Sequence, residues 1–248
     1  KQLLDRLVGH VLLRSAGHFH AKFVIADPQT DPRGWLSTAN FNPALTESVE
    51  LGVAVQGADA RAVGDWFAWA FWTEAERELA GKGRLAAVRE PPGMPQQPRS
   101  RNVLATARGT TQLGDAVLAM VRGARRELLV CSYGLQADHP VVVAAADRAA
   151  SGVPVTVLTR PRPAVADAVA RLAAAGARVY AHDKLHAKAV FADGKGMVLT
   201  ANLQAEGLEH GFEVGVRLDG EEAQRLAATM RHWAEKFPWR YAGGMPRS

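Results

Sequence analysis

Hydrophobic and polar positions change period repeatedly along this chain, and each change predicts an element. Residues 22–26 (Lys-Phe-Val-Ile-Ala) are rich in strand formers and predict a strand. Trp35 to Thr38 predicts its hairpin partner, with the turn-forming stretch Asp-Pro-Gln-Thr-Asp-Pro-Arg-Gly between them. Glu50 to Val55 predicts a further strand, and Asp65 to Glu78 a Trp-bearing helix. Further along, Leu113 to Val121 predicts helix, Glu127 to Ser132 strand, and Pro140 to Ala150 helix. Val155 to Thr159 then predicts strand, Ala164 to Ala174 helix, and Arg178 to Ala181 strand. A short Asp-Gly-Lys-Gly turn follows Phe191-Ala192. After it, Glu213 to Leu218 predicts a strand and Glu221 to Lys236 a second Trp-bearing helix. Strands separated by helices imply an α/β fold, with a mixed, largely parallel sheet flanked by helices.

The pattern also repeats. His20-Ala-Lys22-Phe-Val-Ile-Ala-Asp27 has the same His-x-Lys-x4-Asp spacing as His186-Ala-Lys188-Ala-Val-Phe-Ala-Asp193. Ser37-Thr38-Ala39-Asn40 follows the first, and Leu199-Thr200-Ala201-Asn202 the second. Further on, Glu50-Leu-Gly-Val-Ala-Val-Gln-Gly57 matches Glu213-Val-Gly-Val-Arg-Leu-Asp-Gly220 position for position. Repetition on this scale implies duplication. The expected division is residues 1–80 as the back half of a first domain, 81–109 as linker, and 110–248 as a second domain. The Pro-, Gly- and Arg-rich stretch from Gly81 to Arg101 supports the linker. Few residues precede His20, and the chain begins with Lys1. The expectation is a fragment, or a first domain without its front half, leaving an unpaired sheet edge and exposed apolar surface.

Composition narrows the class. With 48% hydrophobic residues and a net charge of +5 over 248 residues, the chain is not disordered. A single cysteine, Cys131, excludes a disulfide framework and a Cys-based zinc site; its apolar surroundings predict a small buried hydrophobe. No apolar run is long enough to cross a bilayer as a helix, and no leader opens the chain, so a cytoplasmic location is expected. The 30 basic residues against 25 acidic suit a phosphate-rich partner, either nucleic acid or anionic lipid.

In a strand, alternate residues share a face, so His20 and Lys22 point the same way, as do His186 and Lys188. Asn40, on the neighbouring strand, can join the first pair, and Asn202 the second. Each group could hold one set of phosphate oxygens, with Lys and Asn as donors and His as a titratable nitrogen. Two such groups facing across a pseudo-two-fold axis place two histidines in one site. One can attack phosphorus while the other protonates the leaving oxygen. Such a site predicts a bell-shaped pH dependence and requires no metal or cofactor. The sequence offers no carboxylate cluster of the kind a two-metal phosphodiesterase needs.

Two copies of this signature resemble the phospholipase D superfamily. The resemblance covers the second copy from Thr110 to Tyr241 and the back of the first to about Ala80. It implies tandem α/β domains related by a pseudo-two-fold axis, with both signatures meeting in one active site. It also implies a phosphohistidine intermediate resolved by water or an alcohol. His20 and His186 then become nucleophile and general acid, with His20 the expected nucleophile. Lys22, Lys188, Asn40 and Asn202 become phosphate binders. Glu50 and Glu213 match the Glu that orients a His through its second nitrogen. Thr38 and Thr200 stand at the family's Ser position and are expected among the substrate-binding groups. Asp27 and Asp193 are expected to be structural. The usual Gly before that position is Ser37 in one copy and Leu199 in the other, and Leu199 is expected to crowd its strand. His10, His18, His139, His182, His210 and His232 are expected to be structural or on the surface. The run Trp66-Phe67-Ala68-Trp69-Ala70-Phe71-Trp72 is expected to pack in the core rather than to stack bases or face a membrane.

The segments after Asn40 and Asn202 resemble nuclease-type members. The expected function is therefore hydrolysis of nucleic-acid phosphodiesters, with DNA the favoured partner. The alternatives are a phospholipase D or phosphatidyltransferase acting on phospholipid, and a nucleic-acid binding module without turnover. Oligomeric state is left open.

Overall fold

The computed structural model describes residues 2–90, 93, 95–242 and 245–247. A short helix α1 (Gln2–Leu7) and strand β1 (Arg14–Ser15) lead into β2 (Phe23–Ala26), β3 (Arg33–Ser37) and β4 (Gly52–Gln56). Helix α2 (Gly57–Thr73) follows, then β5 (Arg77–Gly81), β6 (Arg84–Ala87) and β7 (Val103–Thr106). The second copy runs α3 (Gln112–Gly123), β8 (Leu128–Ser132), α4 (Pro140–Ala150), β9 (Val155–Thr159), α5 (Ala166–Ala174) and β10 (Arg178–Ala181). It continues through β11 (Ala189–Ala192), β12 (Lys195–Leu199), β13 (Glu213–Leu218), α6 (Gly220–Lys236), β14 (Trp239–Ala242) and β15 (Met245–Arg247).

The main sheet has the order β15-β14-β10-β9-β8-β11-β12-β13-β7, and β2-β3-β4 form a separate antiparallel sheet. The α/β architecture with a mixed sheet flanked by helices is as expected, but its parallel part is confined to β8, β9 and β10. Those neighbouring strands are joined by the helical crossovers α4 and α5, whereas β11, β12 and β13 follow one another without a helical crossover and pair antiparallel. Between β11 and β12 the turn is just Asp193-Gly194, both at positive φ (51° and 96°), the geometry that matches strand twist in a two-residue hairpin. The Asp193 carboxylate accepts from the backbone N–H groups of Arg125, Arg126 and Glu127 at 2.7, 2.9 and 3.0 Å. Burial pushes its pKa up, and these hydrogen bonds more than reverse that and hold it low. This is a structural task, and Asp27 likewise sits at a positive φ of 47°.

Three expectations are corrected. The helix expected over residues 65–78 spans 57–73, because residues 77–81 pair instead with β1 and β6. Residues 84–87 and 103–106, expected in the linker, are strands. The first closes a hairpin on β5, and the second, wholly buried, pairs with β13. Leu199 does not crowd its strand: it lies opposite Gly215, which has no side chain to oppose it.

Two cores hold these layers. One lies between the main sheet and α3, α4 and α5. The other draws on both copies: Leu36, Val55 and Trp66 pack with Cys131, Val214 and Met230. Trp66 and Trp69 are buried there, as expected, whereas Phe67 is exposed. Emptying the Trp66 position would cost about 3–5 kcal/mol. Burial pushes the Cys131 thiol far up, so it behaves as an inert hydrophobe.

Candidate active site

Backbone pairing between the copies builds the site. Phe212, just before Glu213, bridges in parallel to Phe19, just before His20. The N–H groups of His20 and Ala21 both reach the Phe212 carbonyl, at 3.2 and 2.9 Å. The mirror arrangement joins Val49, just before Glu50, to Leu185, just before His186; the N–H groups of His186 and Ala187 reach the Val49 carbonyl, each at 2.9 Å. Each Glu therefore emerges beside the histidine of the other copy.

The side chains complete the exchange. His20 Nδ1 lies 2.6 Å from Glu213 Oε1, and His186 Nδ1 lies 2.9 Å from Glu50 Oε1. The second carboxylate oxygens are held from behind. Thr38 Oγ1 donates to Glu50 Oε2 at 2.6 Å, and Thr200 Oγ1 donates to Glu213 Oε2. Each hydroxyl in turn accepts a backbone N–H, from Leu51 at 2.9 Å and from Val214 at 3.0 Å. Burial pushes the Glu50 carboxyl up, but hydrogen bonds from His186 and Thr38 and the charges of His186 and Lys188 bring it below its ordinary value. With Nδ1–H assigned to the carboxylate, Nε2 of each imidazole carries the lone pair, and that of His186 lies 3.3 Å from Lys188 Nζ.

The lysines lie beneath the rings. Lys22 Nζ donates to the His20 carbonyl at 2.5 Å and Lys188 Nζ to the His186 carbonyl at 2.7 Å. Both are buried. Desolvation lowers the pKa of Lys22, with Glu213 and Glu50 pulling it back up. Lys188, deeper still, is lowered by burial to about 7, despite Glu50 and Glu213, and Lys22 adds to the depression. These cross-couplings mean that the two lysines and two glutamates share one electrostatic neighbourhood.

Not every expected residue stands where expected. Thr38 and Thr200, expected to bind substrate, are fully buried with their hydroxyls engaged by Glu50 and Glu213. They support the carboxylates from behind. Asn40 is exposed at the end of β3, and Asn202 is half-buried with an amide oxygen that has no partner among the described residues. Asn202 lines a cleft of about 330 Å³ together with His18, His20, Gln204 and Glu213.

Three of the remaining histidines hold the frame, and His10, His210 and His232 are exposed. His18 Nε2 lies 2.9 Å from the buried carboxylate of Glu74. His139 Nδ1 accepts the Val141 N–H at the start of α4, and His182 Nδ1 accepts the Lys184 N–H just before the second motif. One neighbour escaped the sequence reading. Tyr133 sets its ring edge-on to His186, with centroids 5.0 Å apart. Its only sequence signal is its place directly after a predicted strand.

A family model described as the phospholipase D-like domain of cardiolipin synthase matches residues 117–237. No curated protein matches the chain in sequence. Among solved structures, Nuc of Salmonella typhimurium, a phospholipase D family member, is 16% identical with a TM-score of 0.50, covering 56% of this chain and 97% of Nuc. The phosphatidylserine synthase of Haemophilus influenzae is 12% identical with a TM-score of 0.62, covering 88% of this chain and 62% of the synthase. The polyphosphate kinase of Porphyromonas gingivalis is 15% identical with a TM-score of 0.61, over 91% of this chain and 35% of the kinase.

Proposed function

We propose that this chain, whose residues 117–237 match a phospholipase D-like domain, is a member of the phospholipase D superfamily and a metal-independent phosphodiesterase that hydrolyses nucleic-acid strands, DNA above all. The observation that carries the reading is the exchange of carboxylates, His20 to Glu213 and His186 to Glu50. It aligns two imidazoles, each with the unprotonated nitrogen at Nε2, beside the buried side chains of Lys22 and Lys188.

In the proposed reaction, neutral His20 attacks phosphorus through Nε2. The N–P bond forms as the P–O bond to the leaving alcohol breaks, and imidazolium His186 gives its proton to that oxygen. His186, now neutral, takes a proton from water, whose oxygen attacks the phosphohistidine and releases His20. The more open imidazole supports the choice of nucleophile: the His20 side chain is 42% exposed and that of His186 is 16%. Lys22, Lys188, Asn40 and Asn202 neutralise the oxygens of the pentacoordinate transition state. Glu50 and Glu213 orient the imidazoles and stabilise them when charged. The two phospholipase D-like units of this reading are residues 1–80, with the counterparts of β11–β13 and α6, and residues 110–248.

The basic composition and the nuclease-like segments after both asparagines favour nucleic acid. A second reading, phosphatidyl transfer or hydrolysis on phospholipid, is favoured by the description of the matching family model. Among the described residues no helix is long and apolar enough to cross a membrane. Cleavage of single- and double-stranded DNA in excess EDTA, with His186→Ala alongside, tests the proposal. Cleavage is expected to survive EDTA and to fall by at least about 1,000-fold in the variant, roughly 4 kcal/mol of transition-state stabilisation. An inactive wild type that releases headgroups from anionic vesicles would move the assignment to lipid.

A further inference from the structure

We propose that Arg160 and Arg162 form a subsite for the phosphate next to the reacting one, so that the preferred substrate is a strand with consecutive phosphates. The inference rests on the phosphodiesterase reading above and narrows its substrate class.

Strands β8 and β9 run parallel and adjacent, and their carboxyl ends carry Tyr133 and Arg160 directly after the last strand residues. This is the edge of a parallel sheet at which ligands gather. The Tyr133 ring is the centre of the group. Arg162 Cζ lies 4.2 Å from its centroid and Arg160 Cζ 5.6 Å. The His186 ring approaches at 5.0 Å and Lys188 Nζ at 6.0 Å. Tyr133 is therefore shared by the groups assigned to the reacting phosphate and by a pair of guanidiniums.

Those guanidiniums lack the carboxylate that two other ring-stacked arginines possess, although Arg240, 5.8 Å from the Tyr180 ring, likewise has none among the described residues. Arg14 lies over Phe71 and Trp72 but is paired with Glu78 at 3.1 Å. Arg231 lies over Phe191 but is paired with Glu127 at 2.6 Å. Among the described residues, no carboxylate pairs with Arg160 or Arg162. Two like charges held at one aromatic ring repel, and the ring's face offsets only part of that cost. A bound phosphate relieves it and exploits the forked donors of both side chains. A substrate with one phosphate fills the histidine site and leaves this subsite empty. A nucleic-acid strand fills both.

The test compares two substrates, a single-stranded oligodeoxynucleotide and bis(p-nitrophenyl) phosphate, which carries one phosphate. Arg160→Ala/Arg162→Ala is expected to lower kcat/KM on the oligonucleotide about 30-fold, mainly through KM, and to change turnover of the chromogenic diester less than about threefold. The slope of log KM against log salt should shrink by about 0.7, the one phosphate contact that this subsite supplies on a single strand. Arg160→Lys/Arg162→Lys keeps the charge and should restore the salt slope while recovering only part of the affinity. Should the double alanine variant not fold, Arg160→Gln and Arg162→Gln separately should each cost about fivefold on the oligonucleotide alone.

Equal losses on both substrates would overturn the inference, as would no loss on the oligonucleotide or a loss confined to anionic vesicles. A wild type that hydrolyses the chromogenic diester but ignores oligonucleotides would sink the subsite and leave the phosphodiesterase reading standing. A wild type that hydrolyses neither would sink that reading. The subsite is then decided by oligonucleotide binding in fluorescence anisotropy, where unchanged affinity in the alanine variant overturns it.

Discussion

The two copies of the motif rest on sheets that are dressed very differently. Val24, Trp35 and Phe41 in the first copy are 57%, 47% and 59% exposed, whereas Val190, Met197 and Leu203 at the matching positions are buried. In the second copy β11 pairs with β8 on its outer edge, and α3 and α4 cover the face. In the first, no described strand pairs with the outer edge of β2. Even the packing over the matching glycines differs. A methyl group at Gly52 would strike the indole of Trp35, while one at Gly215 would strike Leu113 of α3. Yet the polar wiring is the same in both copies: Thr to Glu, backbone N–H to Thr, Lys to the carbonyl of its own His. The motif's geometry is therefore set by its three-strand unit and by the exchange of glutamates. The surrounding sheet sets depth instead, and so how far desolvation pushes each lysine.

The largest expected effect breaks the symmetry of the exchange. Glu213→Gln acts on His20, the proposed nucleophile, and Glu50→Gln acts on His186, the proposed acid. Each should slow DNA cleavage about 100-fold. A p-nitrophenolate leaving group needs little protonation, so it should rescue Glu50→Gln and not Glu213→Gln. Equal rescue of both in steady-state assays would reverse or erase the assignment.

A smaller effect measures the difference in dressing. Val→Thr keeps shape and adds one hydroxyl. At buried Val190 it should cost about 1–3 kcal/mol, and at exposed Val24 no more than about 0.5 kcal/mol, by urea denaturation. Similar losses at both sites would mean that the face of β2–β4 is covered in solution.

The smallest effect concerns the lysines. Burial holds Lys188 near pH 7, so at pH 8 it is mostly neutral in the free protein. A bound anion favours its charged form and raises its pKa. Sulfate, which does not titrate here, should therefore bind with uptake of less than one proton at pH 8. Its affinity should fall by at most tenfold per pH unit above 7. Calorimetry in buffers of different ionisation heat reads the uptake, and Lys188→Met should remove it. Uptake that persists in that variant would assign the proton elsewhere.

Much of this protein was legible from its residues alone. Local period and turn chemistry determined the strands and helices of the second copy nearly to the residue, from Pro140–Ala150 to Arg178–Ala181. The repeated spacing singled out His20, Lys22, His186 and Lys188, because residues two apart on a strand share a face whatever surrounds them. The hairpin at residues 77–87 was hidden by its linker-like composition, since a short edge strand is made by the partner it finds and not by its own propensity. Thr38 and Thr200 looked like ligand hydroxyls because sequence carries no information on which side of a carboxylate a hydroxyl stands. Above all, only the tertiary structure decided which Glu serves which His. His20 and Glu213 are 193 residues apart, and their hydrogen bond follows from a backbone bridge between strand ends of different copies. No periodicity within either copy encodes that contact, because its geometry comes into being only when the two copies pack.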